Sequence, residues 1–382
     1  MKRKLIKNIN IILEDRILSN ASLIFSDKIE KIAEYNLTEE KDVEKIEGEG
    51  GYISAGLIDT HIHGAGGHDT MEADFESLNN ISKVLARYGV TSFLPTTMTM
   101  SSKDIQAALE NIRESKINGT DGARVLGTHV EGPFISSEYI GAQNSDYLAK
   151  PNRELLRNYY DIIKVVTLAP EVEGALELIE DLTENNITVS AGHSAASYED
   201  FKKAFHLGMD HFTHLYNAMT GLHHRRPGLV GAALDLDTTV ELIADLIHHH
   251  PAVDRMTINA KGADKVILVS DAMEAAGLEE GEYELGGQKV IVKEGAARLA
   301  DGRLAGSVLT LDKAVRNLLE ISSLSIPDIF KMVTANPADK ISLGHQLGRI
   351  EEGFRADLAV FNDNFEVEKT FKDGELIYLK KA

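Results

Sequence analysis

The sequence predicts an α/β fold, a (β/α)₈ TIM-like barrel with a small β-sandwich domain built from both chain ends. Eight apolar, β-rich runs alternate with amphipathic segments in the middle of the chain, and short strand-like runs occupy both ends. Most polar residues of chemical interest stand at the C-terminal end of a run, where barrels carry their active sites. We expect the small domain over residues 1–54 and 344–382, and the barrel over 55–343.

The barrel elements follow one another in a regular order. The eight runs cover residues 56–61, 91–96, 124–131, 163–170, 187–193, 211–216, 240–248 and 265–271. Helices are predicted in most gaps, for example over 75–88, 174–185 and 198–207, because apolar residues recur there at three- and four-residue spacing. A doubly wound open sheet also alternates strands and helices, but the polar run ends favour the barrel.

The remaining segments are rich in β-forming residues. Residues 282–304 predict a hairpin excursion after the eighth strand. Short apolar stretches at 10–13, 21–25, 28–32, 354–361 and 375–379 are broken by charges and predict short strands. We therefore expect the two ends of the chain to meet in one small β domain.

Charge and composition exclude several classes of function. The net charge of −20, from 40 basic and 60 acidic residues, repels nucleic acid, and no concentrated basic patch offsets it. No uninterrupted apolar run reaches the roughly 18 residues that a membrane span needs, and the basic start is a poor signal peptide. The absence of cysteine excludes disulfides and thiolate chemistry, and it agrees with a cytoplasmic location.

Five side chains at or near the ends of these runs predict a metal site: His61, His63, Glu131, His193 and His214. His61 and His63 share one face of the first strand because side chains alternate along a strand. Each residue alone is a weak signal, but all five meet at the same rim of the predicted barrel. Their nitrogen and oxygen donors suit zinc, iron, manganese or cobalt, with one or two ions per subunit.

Asp271 ends the eighth run and is the candidate catalytic residue. A metal lowers the pKa of water, but another group must still take the proton and deliver it to a leaving group. A carboxylate beside the metal suits this role as general base and acid.

Several segments resemble the amidohydrolase superfamily, and more narrowly its branch that deacetylates amino-sugar phosphates. The resemblance covers roughly residues 50 to 362. Its most specific segments are Glu-Gly-Pro-Phe-Ile at 131–135 and His-Leu-Tyr-Asn-Ala-Met at 214–219. More segments agree: 56–64, 191–194, 271–277, 304–307 and 334–338.

The end of the fourth strand separates the branches of this superfamily. Many members bridge two metals there with a carboxylated lysine, whereas this chain has Val-Thr-Leu-Ala-Pro at 166–170. Glu131 can take the bridging place, as it does in the deacetylase branch. This argues against an activity like that of dihydroorotase or hydantoinase.

The resemblance implies an activity and a set of substrate contacts. The implied reaction is hydrolysis of the acetamide of N-acetyl-D-glucosamine 6-phosphate to D-glucosamine 6-phosphate and acetate, by a metal-bound hydroxide with Asp271 as base and acid. In the family, part of the phosphate site comes from a neighbouring subunit, which implies a homodimer. The residues matching the family's substrate contacts are Gln143, Asn217, Ala218, Arg225 and His248.

Three positions depart from the family's pattern and leave the sugar specificity open. The family often has His where this chain has Gln143, an acidic residue at Arg226 and Gly at Leu246. One alternative substrate is therefore another N-acylated compound, such as N-acetylgalactosamine 6-phosphate or an N-acyl amino acid. A non-catalytic barrel used for binding is an alternative from another class.

Overall fold

The computed structural model describes residues 2–37 and 40–381. Its strands are β1 (Lys4–Ile12), β2 (Ile17–Phe25), β3 (Ile29–Ala33), β4 (Glu44–Glu47), β5 (Tyr52–Ala55), β6 (Leu57–Ile62), β7 (Gly64–Ala65), β8 (His68–Asp69), β9 (Val90–Thr97), β10 (Arg124–Val125), β11 (Thr128–Glu131), β12 (Ile163–Leu168), β13 (Thr188–Ala191), β14 (His211–Phe212), β15 (Thr239–Leu242), β16 (Val266–Leu268), β17 (Gly281–Leu285), β18 (Gln288–Lys293), β19 (Ala296–Leu299), β20 (Leu358–Phe361), β21 (Val367–Lys372) and β22 (Glu375–Leu379). Its α-helices are α1 (Phe75–Ala86), α2 (Ser102–Asn118), α3 (Arg153–Leu156), α4 (Ala175–Glu184), α5 (Tyr198–Phe205), α6 (Gly228–Asp235), α7 (Pro251–Lys261), α8 (Leu311–Ile321), α9 (Ile326–Lys331) and α10 (Ala335–Lys340).

The predicted barrel is confirmed. Parallel strands follow one another in the order β9, β11, β12, β13, β14, β15 and β16, with β6 and the short β10 also pairing with β9. Every residue of β6, β9 and β11 is buried, as expected for parallel strands that are covered on both faces. Each of the eight runs predicted from the sequence overlaps a strand of this barrel.

Closure of the barrel brings the first and last barrel strands together. Beyond β16, the backbone N–H of Asp271 donates to the carbonyl of His61 at 2.9 Å, and the N–H of His63 donates to the carbonyl of Ala272 at 2.9 Å. His61 and His63 therefore lie beside the segment that carries Asp271, although His63 and Asp271 are 208 positions apart in the chain.

The helices cover the barrel with their apolar faces. In α1, Asp74 caps the N-terminus by accepting from the N–H of Ser77, and Leu78, Ile81 and Leu85 are buried at three- and four-residue spacing. The helices predicted over 75–88, 174–185 and 198–207 correspond to α1, α4 and α5. The buried faces of these helices pack against the barrel and hold its strands in place. The ends of the strands in turn form the rim that carries the site.

Strands from both chain ends form a separate sheet, as the sequence predicts. Its order is β22-β21-β20-β5-β1-β2-β3, and β4 joins it by pairing with the first half of β1. This sheet has its own buried apolar cluster, which includes Phe25, Ile53 and Phe371. β5 ends at Ala55 and β6 begins at Leu57, close to the proposed boundary at 54/55. The exact domain boundaries stay a prediction.

The segment after the eighth barrel strand forms a three-stranded antiparallel sheet from β17, β18 and β19. Leu285, Val290 and Val292 of this sheet pack against Met98 and Met273 near the barrel mouth. Across the described ranges, no helix has the length and apolar character needed to cross a membrane.

Candidate metal centre and active site

Six side chains predicted from the sequence meet at the C-terminal mouth of the barrel, and all of them are buried: His61, His63, Glu131, His193, His214 and Asp271. His61 lies on β6 and Glu131 is the last residue of β11. The others lie one to three residues beyond the end of a strand. Because all the strands run in the same direction, their C-terminal ends deliver these side chains to one place.

Three of these residues adopt a backbone conformation that non-glycine residues seldom use. The φ angles are 48° at His193, 29° at His214 and 48° at Asp271. A non-glycine residue in the left-handed region costs about 1–3 kcal/mol and persists only where the surrounding structure enforces it. Strain of this kind clusters at functional sites, and here it turns side chains at strand ends toward one another.

The first donor group consists of Glu131, His193 and His214. Oε1 of Glu131 lies 3.1 Å from Nε2 of His193 and 3.0 Å from Nε2 of His214, and the two Nε2 atoms are 3.1 Å apart. Donors about 2.1 Å from a tetrahedral ion stand about 3.4 Å from one another. The three atoms are therefore within a few tenths of an ångström of the spacing that a bound cation requires.

The second donor group adds His61, His63 and Asp271 to the same glutamate. Nε2 of His63 lies 3.3 Å from Oε2 of Glu131 and 3.3 Å from Oδ1 of Asp271. Nε2 of His61 lies 3.5 Å from Oε1 of Glu131 and 3.4 Å from Oδ1 of Asp271. Glu131 is thus common to both groups, which is the arrangement that a bridging ligand needs.

The charges of this cluster fit a divalent cation. Burial alone would raise the pKa of Glu131, but His61 and His193 outweigh it and hold the pKa well below its ordinary value. Burial would likewise raise the pKa of Asp271, yet His61 and His63 hold this pKa below its ordinary value. Nε2 of His61 is buried with no hydrogen-bond partner in the described part of the chain. Anionic oxygens and imidazole nitrogens that release their protons on metal binding form the donor set that such a cation needs.

A layer of polar side chains lies beneath these donors, and the sequence reasoning missed it. Glu241 on β15 is fully buried, and its Oε2 lies 2.9 Å from Nδ1 of His61. His129 is also fully buried, and burial lowers the pKa of its imidazole to about 3, so the ring is neutral. The alternation of β11 is a signal that could have found His129, because it shares a face with Glu131 two residues further on.

Four of the five predicted substrate contacts line a cavity of about 560 Å³ above the donors: Gln143, Asn217, Ala218 and His248. Arg225 lies on an exposed stretch and is not among the residues that line this cavity in the described chain. Its Nη1 contacts Nε2 of neighbouring His224 at 2.7 Å instead. Arg298 and Arg303 of the segment after β16 do line the cavity, and the sequence reasoning did not single them out.

Two of the cavity residues have defined partners. The amide of Gln143 donates to Oε2 of Glu131 at 2.5 Å and its carbonyl accepts from the N–H of Thr99 at 2.7 Å. Nδ1 of His248 lies 2.7 Å from Oδ2 of Asp245, which leaves the other ring nitrogen for a ligand. Burial would raise the pKa of Asp245, but His248 holds the pKa below its ordinary value.

Comparison with known proteins supports the barrel fold and indicates the family to which the chain belongs. The sequence profile of the amidohydrolase family matches residues 52–377. N-acetylglucosamine-6-phosphate deacetylase of Lysinibacillus sphaericus is 40% identical over 354 residues, which cover 91% of this chain and 91% of that protein. N-acetylgalactosamine-6-phosphate deacetylase of Escherichia coli O157:H7 is 38% identical and covers 84% of this chain and 86% of its own length.

A solved structure agrees along nearly the whole chain. The crystal structure of N-acetylglucosamine-6-phosphate deacetylase from Pasteurella multocida superposes with a TM-score of 0.93 at 31% identity, covering 98% of this chain and 99% of that one. The profile match, the sequence identity and the fold all indicate the same family. The chain belongs to the amidohydrolase family.

Proposed function

We propose that this chain hydrolyses the acetamide of N-acetyl-D-glucosamine 6-phosphate to D-glucosamine 6-phosphate and acetate. The observation that carries the proposal is the convergence of two donor groups on Glu131, with Asp271 in contact with one of them at the floor of a substrate-sized cavity. The close relatives with this activity in their names support the choice of substrate.

The metal centre that we propose uses His61, His63, Glu131, His193 and His214. One or two divalent ions, of zinc, iron, manganese or cobalt, fit these nitrogen and oxygen donors. When bound, such an ion lowers the pKa of water and polarises a carbonyl oxygen. The protein's own part is to hold the donors in place and to keep bulk water out of the buried floor of the cavity.

Asp271 is the residue that moves the proton. Because its pKa is held below the ordinary value, the carboxylate is ionised at neutral pH and can accept the proton of the attacking water. Asp271 takes this proton as the carbon–oxygen bond forms. It returns the proton to the departing nitrogen as the carbon–nitrogen bond breaks. The amine leaves with the acetic acid, which loses its proton at neutral pH to give acetate while the amine takes up a proton, and Asp271 is ionised again.

The other end of the cavity suits a phosphorylated sugar. We assign the phosphate to Asn217, Ala218 and His248, since Asp245 fixes one nitrogen of His248 and leaves the other to face a ligand. Gln143 lies near the reacting end, where its amide contacts Glu131. A phosphate needs donors of this kind and positive charge.

A substrate panel tests the proposed function. The metal-loaded protein should release acetate fastest from N-acetylglucosamine 6-phosphate, more slowly from the galactosamine epimer, and slowest from unphosphorylated N-acetylglucosamine and N-acyl amino acids. Equal turnover of phosphorylated and unphosphorylated sugar would remove the phosphate assignment. Preference for the other epimer would correct the sugar, and the absence of turnover with every compound would favour a binding role.

We further propose a cytoplasmic homodimer in which Arg225 reaches the cavity of the partner, because Arg225 is exposed and lies outside the cavity lining described for its own chain. Arg225→Ala should raise the KM for the phosphorylated sugar about tenfold or more, since a charge-assisted hydrogen bond contributes about 1.5–3 kcal/mol. The exposed Arg87 provides the control, and Arg87→Ala should leave KM unchanged. A monomeric mass by light scattering, or an unchanged KM in Arg225→Ala, would refute the shared site.

A further inference from the structure

The chain carries a buried carboxylate next to the metal centre that the proposed reaction does not use. Glu241 lies on β15, deep in the barrel, with no exposed surface. Its Oε2 lies 2.9 Å from Nδ1 of His61 and accepts the backbone N–H of His214 at 3.1 Å. Its Oε1 lies 3.4 Å from Nε2 of His211. One side chain therefore contacts a member of each donor group.

We infer that Glu241 is a positioning residue that fixes the ring of His61 and thereby controls metal loading at the position formed by His61 and His63. The inference rests on the proposed metal centre, but it does not depend on the substrate. A carboxylate that receives the second nitrogen of a metal-binding histidine sets the ring's tautomer and raises its basicity.

The tautomer of His61 follows from its contacts. A carboxylate only accepts, so Nδ1 of His61 must carry the proton that it donates to Glu241. In the neutral ring that binds a metal, the other nitrogen, Nε2, is then a bare lone pair, and it lies 3.5 Å from Glu131 and 3.4 Å from Asp271. Without Glu241, the neutral ring could place its proton on Nε2, which would block metal binding at that atom.

Burying this carboxylate costs folding free energy, so we expect it to serve a function. An unpaired charge in the interior is strongly destabilising, and even a paired one is often no better than an apolar residue of similar volume. Oε2 of Glu241 lies 2.9 Å from Nδ1 of His61 and 3.1 Å from the backbone nitrogen of His214, and its Oε1 lies 3.4 Å from Nε2 of His211, so each oxygen faces a nitrogen atom. Glu241 contacts the ring of His61 and the backbone of His214, which are residues of the two donor groups that it would position.

A separate cation site at this place is excluded by the contacts of the third nearby histidine. His61, His129 and Glu241 have donor atoms close together. However, Nδ1 of His129 lies 3.1 Å from the carbonyl of Thr60 and its Nε2 lies 2.6 Å from Oγ1 of Thr167. Both of its nitrogens are engaged, so this layer orients the donors above it.

The test is metal binding by Glu241→Gln, followed without substrate. Cobalt(II) is titrated into the metal-free enzyme, and binding is measured by visible absorption and by elemental analysis of the washed protein. The amide keeps the shape of the carboxylate, but its NH₂ would face His211 or the N–H of His214, which are donors. We expect the Kd of the weaker cobalt equivalent to rise 10–100-fold, while the equivalent at His193 and His214 keeps its wild-type affinity.

A matched control separates this effect from the loss of any buried carboxylate. Asp254 is also fully buried, and its Oδ1 lies 2.9 Å from Nδ1 of His249, which is outside both donor groups. Asp254→Asn should bind cobalt as the wild type does. Weakened cobalt binding in both variants would indicate a general loss of packing and would overturn the proposal.

A second variant and a double mutant keep the proposal falsifiable. Glu241→Asp keeps the charge but withdraws it by about 1.5 Å, one carbon–carbon bond, and should weaken the same equivalent if Glu241→Gln does not fold. In a His61→Asn background, Glu241→Gln should cause no further loss, since its effect passes through His61. Wild-type cobalt binding by a folded Glu241 variant would overturn the inference, whereas loss of acetate release with these results intact would refute only the proposed substrate.

Discussion

The two donor groups at the barrel mouth aim their imidazoles in different ways. In the group of His193 and His214, both residues have positive φ angles, 48° and 29°, and the donor atoms meet at one oxygen of Glu131 within 3.0–3.1 Å. Nδ1 of His193 also lies 3.1 Å from the carbonyl of Tyr139, whereas Nδ1 of His214 has no hydrogen-bond partner among the described residues. In the group of His61 and His63, the rings are held by buried acceptors on their Nδ1 atoms: a carboxylate oxygen for His61 and the carbonyl of Thr96 for His63.

This difference bears on metal affinity. The first group offers three donors, the number that a catalytic zinc site uses, and Nε2 of His61 approaches its glutamate oxygen only to 3.5 Å. In the second group, Oε2 of Glu131 also accepts from Gln143 at 2.5 Å, and Asp271 must remain free to carry a proton. The two histidines of the first group thus have a strained backbone, whereas the oxygens of the second group are shared with other contacts. We expect the first group to bind its ion more tightly.

The largest expected effect comes from replacing one histidine of each group by asparagine. His193→Asn should lose the tightly held ion, and kcat/KM should fall about 10³-fold or more, because a metal supplies several kcal/mol of transition-state stabilisation. His61→Asn should lose only the weaker ion and keep one equivalent. Elemental analysis and steady-state kinetics on the two proteins give the comparison directly.

The opposite ranking would reverse this picture. If His61→Asn emptied the protein of metal while His193→Asn retained one equivalent, the group of His61 and His63 would be the tight one. Equal losses in both variants would indicate that the two groups bind metal only together, through Glu131.

Asp271→Asn should give the next largest effect. The amide cannot accept a proton, so kcat should fall about 10²–10⁴-fold. The ion at His193 and His214 should stay, because Asp271 contacts the other group, at 3.3 Å from Nε2 of His63. The pH profile of kcat should lose its acidic limb, and a near-normal kcat would remove Asp271 from the mechanism.

The barrel could be predicted from the sequence because its signal is repeated. Eight apolar runs, with helical periods in most of the gaps between them, leave few alternatives, and the sequence predicts the sixth and eighth runs although β14 and β16 have only two and three residues in the regular strand. The position of the six buried side chains at or near run ends is then enough to predict that they share one rim, even when their contacts are unknown.

The contacts beneath and beside the rim could not be predicted in the same way. Glu241 stands in a run of buried residues, and only closure of the barrel shows that it meets His61, 180 positions away. Similarly, the exposure of Arg225 and the presence of Arg303 in the cavity wall depend on how long loops fold over the mouth. Spacing along one chain carries little information about such pairs.

The smallest expected effect is that of Gln143→Leu, which sharpens the idea that the oxygens of the second group are shared. The substitution removes the donor to Oε2 of Glu131 and leaves the buried N–H of Thr99 without its acceptor. The unpaired N–H of Thr99 should lower the free energy of unfolding by about 1–3 kcal/mol, and the lost hydrogen bond from Gln143 to the substrate, about 0.5–1.5 kcal/mol, should lower kcat/KM up to about tenfold. With Oε2 released, the affinity for the weaker ion should rise. Exposed Gln106→Leu is the control, and unchanged kinetics with unchanged metal affinity in Gln143→Leu would show that this amide neither serves the substrate nor competes for Glu131.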